Sequence, residues 1–280
     1  DLAGRTIADQ LSKILNVSVV PINKPAAGGV EGADYVAKAK KDGYTLLFSA
    51  ASSMVHIPVT SPETVPYDPV RDLEPIARAV SFPFVIAVKS DSPWKSLKEL
   101  VDYAKKNPEK VRMGIAGIGT VAHFNLGIIN SAAGVNMTPV PYKGASPAVT
   151  AVLGGHIEGN SLALGANLAH INAGTLRALV ISSKSSQAAQ IPSPAEAGYP
   201  QVKLLGVWVG AFAPAGTPDS VLKVLVPAFE KAIHSPEVVK AVEGVGSSLD
   251  YQKPEELKKS IQEEFEIVRE VAKKAGLTKK

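Results

Sequence analysis

Apolar positions along the chain alternate between helical and strand spacings. Ile7, Leu11, Ile14 and Leu15 recur at helical intervals and predict an amphipathic first helix ending near Asn16. Residues 17–22 are rich in β-branched side chains and predict a strand. A turn over residues 23–29 leads to a helix over 30–40, and Asp42-Gly43 turns the chain into a strand over 44–49. Residues 50–53 are small, and the five prolines between 58 and 75 predict an irregular loop. The apolar run 80–88 predicts a strand able to cross between lobes. Ser96 and Glu99 form a capping box ahead of Leu97, Leu100, Val101 and Ala104, which share a helix face.

The most informative stretch is residues 111–149. It holds two similar units: a short apolar strand (111–116, then 138–142), a loop of small residues, and the start of a helix. The loops are Gly117-Ile118-Gly119-Thr120 and Lys143-Gly144-Ala145-Ser146. In the second, Ser146 is the expected N-cap and Pro147 the first helical residue. Helix N-termini carry unpaired N–H groups and partial positive charge, and glycines let a ligand reach that backbone. Between Lys110 and Ala195 the only carboxylate is Glu158, against Arg112, Lys143, Arg177 and Lys184. These features predict a site for a small anion, built largely from backbone.

Further strands are expected over 157–164, 176–181 and 204–213, with a short helix ending at Asn172 between the first two. Residues 214–218 repeat the loop-to-helix grammar, with Thr217 as N-cap. Residues 219–280 carry eleven acids on helices with polar faces, and the last helix opens at Pro254 and stops at Gly276. Alternating strands and helices predict an α/β fold with parallel sheets, whose ligands bind at strand carboxyl ends.

Composition narrows the function. The net charge is +4, but no Arg/Lys cluster stands out and aromatic residues make up only 6%, which argues against nucleic acid. Cysteine is absent, excluding disulfides and thiolate metal sites. No run approaches the roughly 18 apolar residues of a membrane span, and no signal peptide opens the chain.

Gly117-Ile-Gly119-Thr-Val-Ala122 matches a dinucleotide fingerprint, but no acid lies between Glu109 and Glu158 to hold a ribose, so a small-anion loop explains the glycines better. His123, one turn after Thr120, either faces a ligand or is satisfied by backbone or water. The five histidines are scattered, which argues against a metal. Ser92 and Lys95 fit S-x-x-K by chance, in a turn. Trp208, flanked by Gly206 and Gly210, is read as pocket wall rather than core.

Several ordered segments carry a family resemblance: Asn23-Lys24-Pro25 with Gly28-Gly29, Lys41-Asp42-Gly43-Tyr44-Thr45-Leu46, Pro141-Tyr142-Lys143-Gly144, Gly154-Gly155-His156, residues 170–179 from His170 to Leu179, and Ala213 to Pro218. The chain resembles the periplasmic solute-binding proteins of tripartite tricarboxylate transporters, the Bug family. The resemblance implies a two-lobed, Venus-flytrap periplasmic fold with two crossover strands, lobe 1 being residues 1–83 plus 209–280 and lobe 2 residues 84–208. It also implies a carboxylate ligand in the cleft between them, no cofactor and no catalytic residue. Carried onto this chain, the ligand-binding positions are Ser49, Ala50, Ser52, Ser53, Gly117, Gly119, Thr120, Lys143, Gly144, Ala145, Ser146 and Ala163. His123, Tyr142 and Trp208 complete the candidate set.

The chain departs from the family pattern twice. Asp1 matches the last residue of the family's first Gly-rich loop, so the strand before it is absent from this sequence. Ser161-Leu162-Ala163 stands where the family often has an aspartate, which favours a di- or tricarboxylate or an aromatic acid without a cationic group. The expected protein is periplasmic and monomeric, and delivers its ligand to membrane permease subunits. The competing expectations are an enzyme on a small acid, with His123 as its base, and a ligand-sensing module for a signalling partner.

Overall fold

The structure, a computed structural model, describes residues 2–24, 26–244 and 246–274. In chain order its elements are α1 (Leu2–Leu15), α2 (Val30–Ala37), β1 (Leu47–Ala50), α3 (Ile57–Thr60), β2 (Leu73–Phe82), β3 (Phe84–Lys89), α4 (Leu97–Lys106), β4 (Arg112–Ile115) and α5 (Val121–Ala133). There follow β5 (Thr138–Pro141), α6 (Ala145–Leu153), β6 (Gly159–Ala163), α7 (Leu164–Asn172), β7 (Leu176–Ile181), β8 (Val207–Pro214), α8 (Asp219–Ile233), α9 (Pro236–Glu243), β9 (Ser248–Gln252) and α10 (Pro254–Lys274). The chain divides into two compact units. The first joins the residues up to Ser81 to those from Trp208 on, and the second is Phe82–Val207.

In the first unit, four strands run in the order β1-β8-β2-β9, with β1 antiparallel to β8 and β2 antiparallel to β9. Helix α1 buries Ile7, Ala8 and Leu11 and packs on α8 and α9. Each fully buried Ile or Leu contributes about 1.5–3 kcal/mol, against at most about 1 for an exposed ion pair such as Lys38–Asp34. Apolar contact therefore holds the helices down. The sequence sets Leu257, Ile261, Phe265, Val268 and Ala272 as the apolar stripe of α10; all but the half-buried Phe265 are buried.

In the second unit, five strands run β5-β4-β6-β3-β7. Helix α6 buries Ala148, Val149 and Val152 against Ile157, Leu162 and Leu176. Helix α4 opens as predicted: Ser96 Oγ accepts from the Glu99 N–H at 3.2 Å, and Glu99 Oε2 from the Lys95 N–H at 2.6 Å.

Several expectations are corrected. The second sheet is mixed rather than parallel, because β3 runs antiparallel to both β6 and β7 while β4 is parallel to β5 and β6. Residues 17–22 form no strand: Val17, Val20 and Ile22 are 50%, 71% and 79% exposed. A strand is stable only against a ladder partner, and none of the described strands pairs with this run. The 80–88 run is two strands broken at Pro83, and β2 already begins at Leu73, inside the proline-rich stretch. Ser146 and Pro147 are the second and third residues of α6, which begins two residues earlier than expected because Gly144 is the N-cap. Thr217 caps nothing; its hydroxyl donates to the Pro214 carbonyl at 2.8 Å, and Pro218 precedes α8. Asp1, Pro25, Gly276 and the terminal lysines lie outside the described residues.

Candidate functional site

In the second unit, β4 is parallel to both β5 and β6, so the carboxyl ends of all three strands point the same way. Each runs through a short loop, or none, into a helix: β4 into α5, β5 into α6 and β6 into α7. This brings Gly117–Thr120, Tyr142–Ser146 and Ala163 to one edge of one sheet. The residues at the three N-cap positions are Thr120, Gly144 and Ala163, and none of them caps its helix with a side chain. No cap side chain therefore occupies their first-turn N–H groups, although that of Leu164, opening α7, already donates to the Pro83 carbonyl at 2.7 Å.

Local sequence sets this geometry. Gly117 and Gly119 take φ of 132° and 74°, where a side chain is strained. The Thr120 hydroxyl donates to the Gly117 carbonyl at 2.7 Å and closes the loop on itself. The Gly119 N–H donates to His123 Nδ1 at 3.2 Å. Burial holds the His123 imidazole below the usual histidine range, in keeping with a neutral ring that accepts at Nδ1. Gly144 lies at φ 106°, ψ −179°, with nothing within 4 Å of where a Cβ would be. The half-buried Tyr142 ring lies over Gly114, and its N–H donates to Ile115 at 2.9 Å. Lys143 and Ser146 are exposed.

The one carboxylate between Lys110 and Ala195, Glu158, is at the opposite edge. It stands just before β6 and accepts from the Arg112 N–H at 2.8 Å, from Nε at 2.9 Å and from the terminal guanidinium nitrogen at 2.7 Å. The three loops at the donor-rich edge thus hold no carboxylate of their own.

In the first unit, Ser49 and Ala50 are the last two residues of β1, and Ser52 and Ser53 open the π-helical turn Ser52–His56 that follows it. Much of their hydroxyl capacity is used internally. Ser49 and Ser53 share a bond of 2.8 Å, Ser53 Oγ donates to Ala50 at 3.1 Å, and Ser52 Oγ donates to Gly28 at 3.0 Å. Ser53 is fully buried, while Ser49, Ala50 and Ser52 are half-buried. The Tyr67 hydroxyl donates to the Ser53 carbonyl at 2.7 Å. Burial pushes the Tyr67 phenol up to about 12, so it keeps its proton and remains a donor.

Trp208 takes the core reading, not the pocket-wall one. It is 1% exposed, and its indole N–H donates to Glu264 Oε2 at 2.6 Å. An indole whose polar handle is already satisfied can be fully buried. Sequence reasoning also missed Asn125, which is 1% exposed on α5. Its amide donates to the Leu205 carbonyl at 2.8 Å and accepts from the Leu205 N–H at 2.7 Å, anchoring the helix that bears the glycine loop. A lone polar residue in an apolar helix face was the available signal. Among the described residues no three His, Asp or Glu side chains gather to hold a metal ion. No helix among them is long and apolar enough to cross a membrane.

Known proteins share this fold. A TctC solute-binding protein from Polaromonas, solved without ligand, superposes with a TM-score of 0.90 at 26% identity, covering 98% of this chain and 93% of that one. An R. palustris protein solved with adipate gives 0.75 at 27% identity, over 99% and 92% of the two chains. The fold is that of the two-lobed periplasmic binding proteins. Residues 3–277 match the tripartite tricarboxylate transporter family receptor, and the chain belongs to that family, whose members bind substrates rather than transform them. The Bordetella pertussis protein BugT is 31% identical over 280 residues, 98% of this chain and 86% of that protein.

Proposed function

We propose that the protein is an extracytoplasmic solute-binding protein that captures a small carboxylate, and hands it to the permease of a tripartite tricarboxylate-type transporter. The observation that carries this reading is the sheet edge where three helix N-termini, none capped by a side chain, meet in loops that hold no carboxylate. Anions are stabilised at such ends. The Gly117–Thr120 and Tyr142–Ser146 loops and Ala163 take one carboxylate group of the ligand. By the family resemblance, Ser49, Ala50, Ser52 and Ser53 of the first unit are proposed ligand positions as well. A di- or tricarboxylate or an aromatic acid suits a chain with Ser161-Leu162-Ala163 at the end of β6 and no acid there to pair with an amine. Adipate, bound by the R. palustris relative, is the first candidate. His123 contributes a ring N–H donor rather than a base, since its Nδ1 already accepts from Gly119. The protein acts in the periplasm, as a monomer.

A thermal-shift screen of the purified chain against adipate, malate, citrate, benzoate and glutamate tests this. An acid present at 100 times its dissociation constant adds about 2.7 kcal/mol of stability. A shift with one acid class, and full recovery of that acid after incubation, is the expected result. Consumption of the acid transfers the site to the enzyme reading, and no shift with any acid rejects carboxylate capture.

A further inference from the structure

Glu264 lies on the buried stripe of α10, where its neighbours in the pattern are apolar. It is 8% exposed and, among the described residues, the one buried carboxylate. Its two oxygens meet rings from distant parts of the chain. Oε1 lies 2.8 Å from His56 Nε2, 208 residues away, and Oε2 accepts from Trp208 Nε1 at 2.6 Å, 56 residues away. Both rings are buried, His56 to 5% and Trp208 to 1% exposure. The Arg78 guanidinium lies over the Trp208 ring, 5.6 Å from its centroid, and Arg78 forms an ion pair with Asp250 of β9.

Burying a carboxylate is costly, and a well-packed apolar residue is often at least as stable at such a place. What a carboxylate does, and a leucine cannot, is fix two ring N–H groups at once in short, charge-assisted bonds. The identity of those two rings is informative. His56 ends the Ser52–His56 turn, whose first residues belong to the candidate ligand loop. Trp208 is the first residue of the first unit where β8 brings the chain back into it.

We propose that Glu264 is a positioning residue for ligand capture. It ties the turn behind the Ser49–Ser53 loop to the strand by which the chain re-enters the first unit, so that ligand contact at the loop is registered at Trp208. This inference rests on the carboxylate-capture reading above and adds a transmission element to it. The three groups form one linked set: the loop turn through His56, the carboxylate, and the re-entry strand through the indole.

Trp94 and Trp208 are the two tryptophans of the chain, so Trp94→Phe leaves Trp208 as the sole indole reporter. In that background the full chain, E264Q and E264M are titrated with adipate by calorimetry and by indole emission. The parent is expected to bind with a change in Trp208 emission. E264M is expected to bind roughly 3- to 30-fold more weakly and to lose the emission change. E264Q, which keeps an acceptor for the indole, recovers most of both. Unchanged affinity with an unchanged emission response in E264M overturns the proposal, because a merely structural anchor predicts lower stability alone. A second arm needs no ligand. Amide hydrogen exchange of E264M should quicken at residues 52–56 and 207–212 while α8 keeps the parental rate; uniform acceleration, or none, overturns the tie. If E264M does not fold, E264Q carries both arms, with smaller changes in the same direction expected and no change overturning the proposal. Failure of the parent to bind adipate rejects the ligand assignment, and the exchange arm then decides the role of Glu264.

Discussion

The backbone N–H of Gly119 donates to Nδ1 of His123, one helical turn away, at 3.2 Å. The bond requires an unprotonated Nδ1, and burial already disfavours the charged ring. Below about pH 6.5 the unfolded chain takes up a proton that folded His123 resists, so stability falls as pH drops from there towards the lowered folded value. Above it neither state carries that proton and the contribution is constant. Urea midpoints at pH 7.5 and 5.5 should fall further for the parent than for His123→Gln. An equal fall in both would remove His123 from the pH response.

Gly144 should be the most demanding of the open glycines. At φ 106°, ψ −179° it occupies backbone space open essentially to glycine alone. An added Cβ meets nothing within 4 Å, so Gly144→Ala isolates the backbone cost, roughly 1–3 kcal/mol. Gly134→Ala, at φ 63°, ψ 44° and equally open, should cost only about 1–2 kcal/mol. Chemical denaturation of the two variants side by side tests the order. Gly144→Ala should also weaken carboxylate binding, since it re-aims the first amides of α6, whereas Gly134→Ala should not.

Asn125 holds both polar groups of one peptide segment. Asn125→Leu leaves the Leu205 N–H and carbonyl buried and unpaired, at roughly 2–4 kcal/mol in all. A variant within 0.5 kcal/mol of the parent, about the noise of a neutral surface change, would show that water or a shifted backbone replaces the side chain.

Glu158 tests the separation of the two sheet edges. Burial pushes its carboxyl up, but the hydrogen bonds and charge of Arg112 outweigh this and hold it below the usual range. Its contribution is therefore present at neutral pH and lost as pH falls through the lowered value. Arg112 is 47% exposed, so Glu158→Gln should cost less than about 1 kcal/mol at neutral pH, and nothing in acid once the carboxyl is protonated. Carboxylate affinity should stay at the parental value, because the pair stands at the amino edge of the strands. A tenfold change in affinity would contradict that geometry.

What could be read from sequence was local. The strand, the glycine loop and the start of the helix at residues 111–121 follow from neighbouring residues, as do the Ser96 capping box and the apolar stripe of α10. Elements that depend on distant partners stayed hidden. β9, Ser-Leu-Asp-Tyr-Gln, alternates polar and apolar residues but over five positions only, none of them buried; it is an edge strand held by pairing with β2 and by Asp250 meeting Arg78. Residues 17–22 have a strand's composition but no strand beside them, and composition alone does not make a ladder. Gly144 as cap in place of Ser146 was missed because a glycine at an unusual φ terminates the turn before the serine is reached. Trp208 was misplaced for the same reason: its satisfying acceptor, Glu264, is 56 residues away.

The division of the chain also orders its synthesis. The second unit is one uninterrupted run, Phe82–Val207, so all of its strands exist before the last third of the chain is made. The first unit is spliced from both flanks. Helix α1, with Ile7 and Leu11 buried, packs on α8 and α9, and β2 receives its edge partner from residues 248–252, more than 160 positions later. Such distant closures are slow, and domains form as units during translation. The inserted half is thus finished early, while the apolar face of α1 waits, uncovered, for the final helices to leave the ribosome. During that interval α1 presents an apolar face with nothing yet made to cover it.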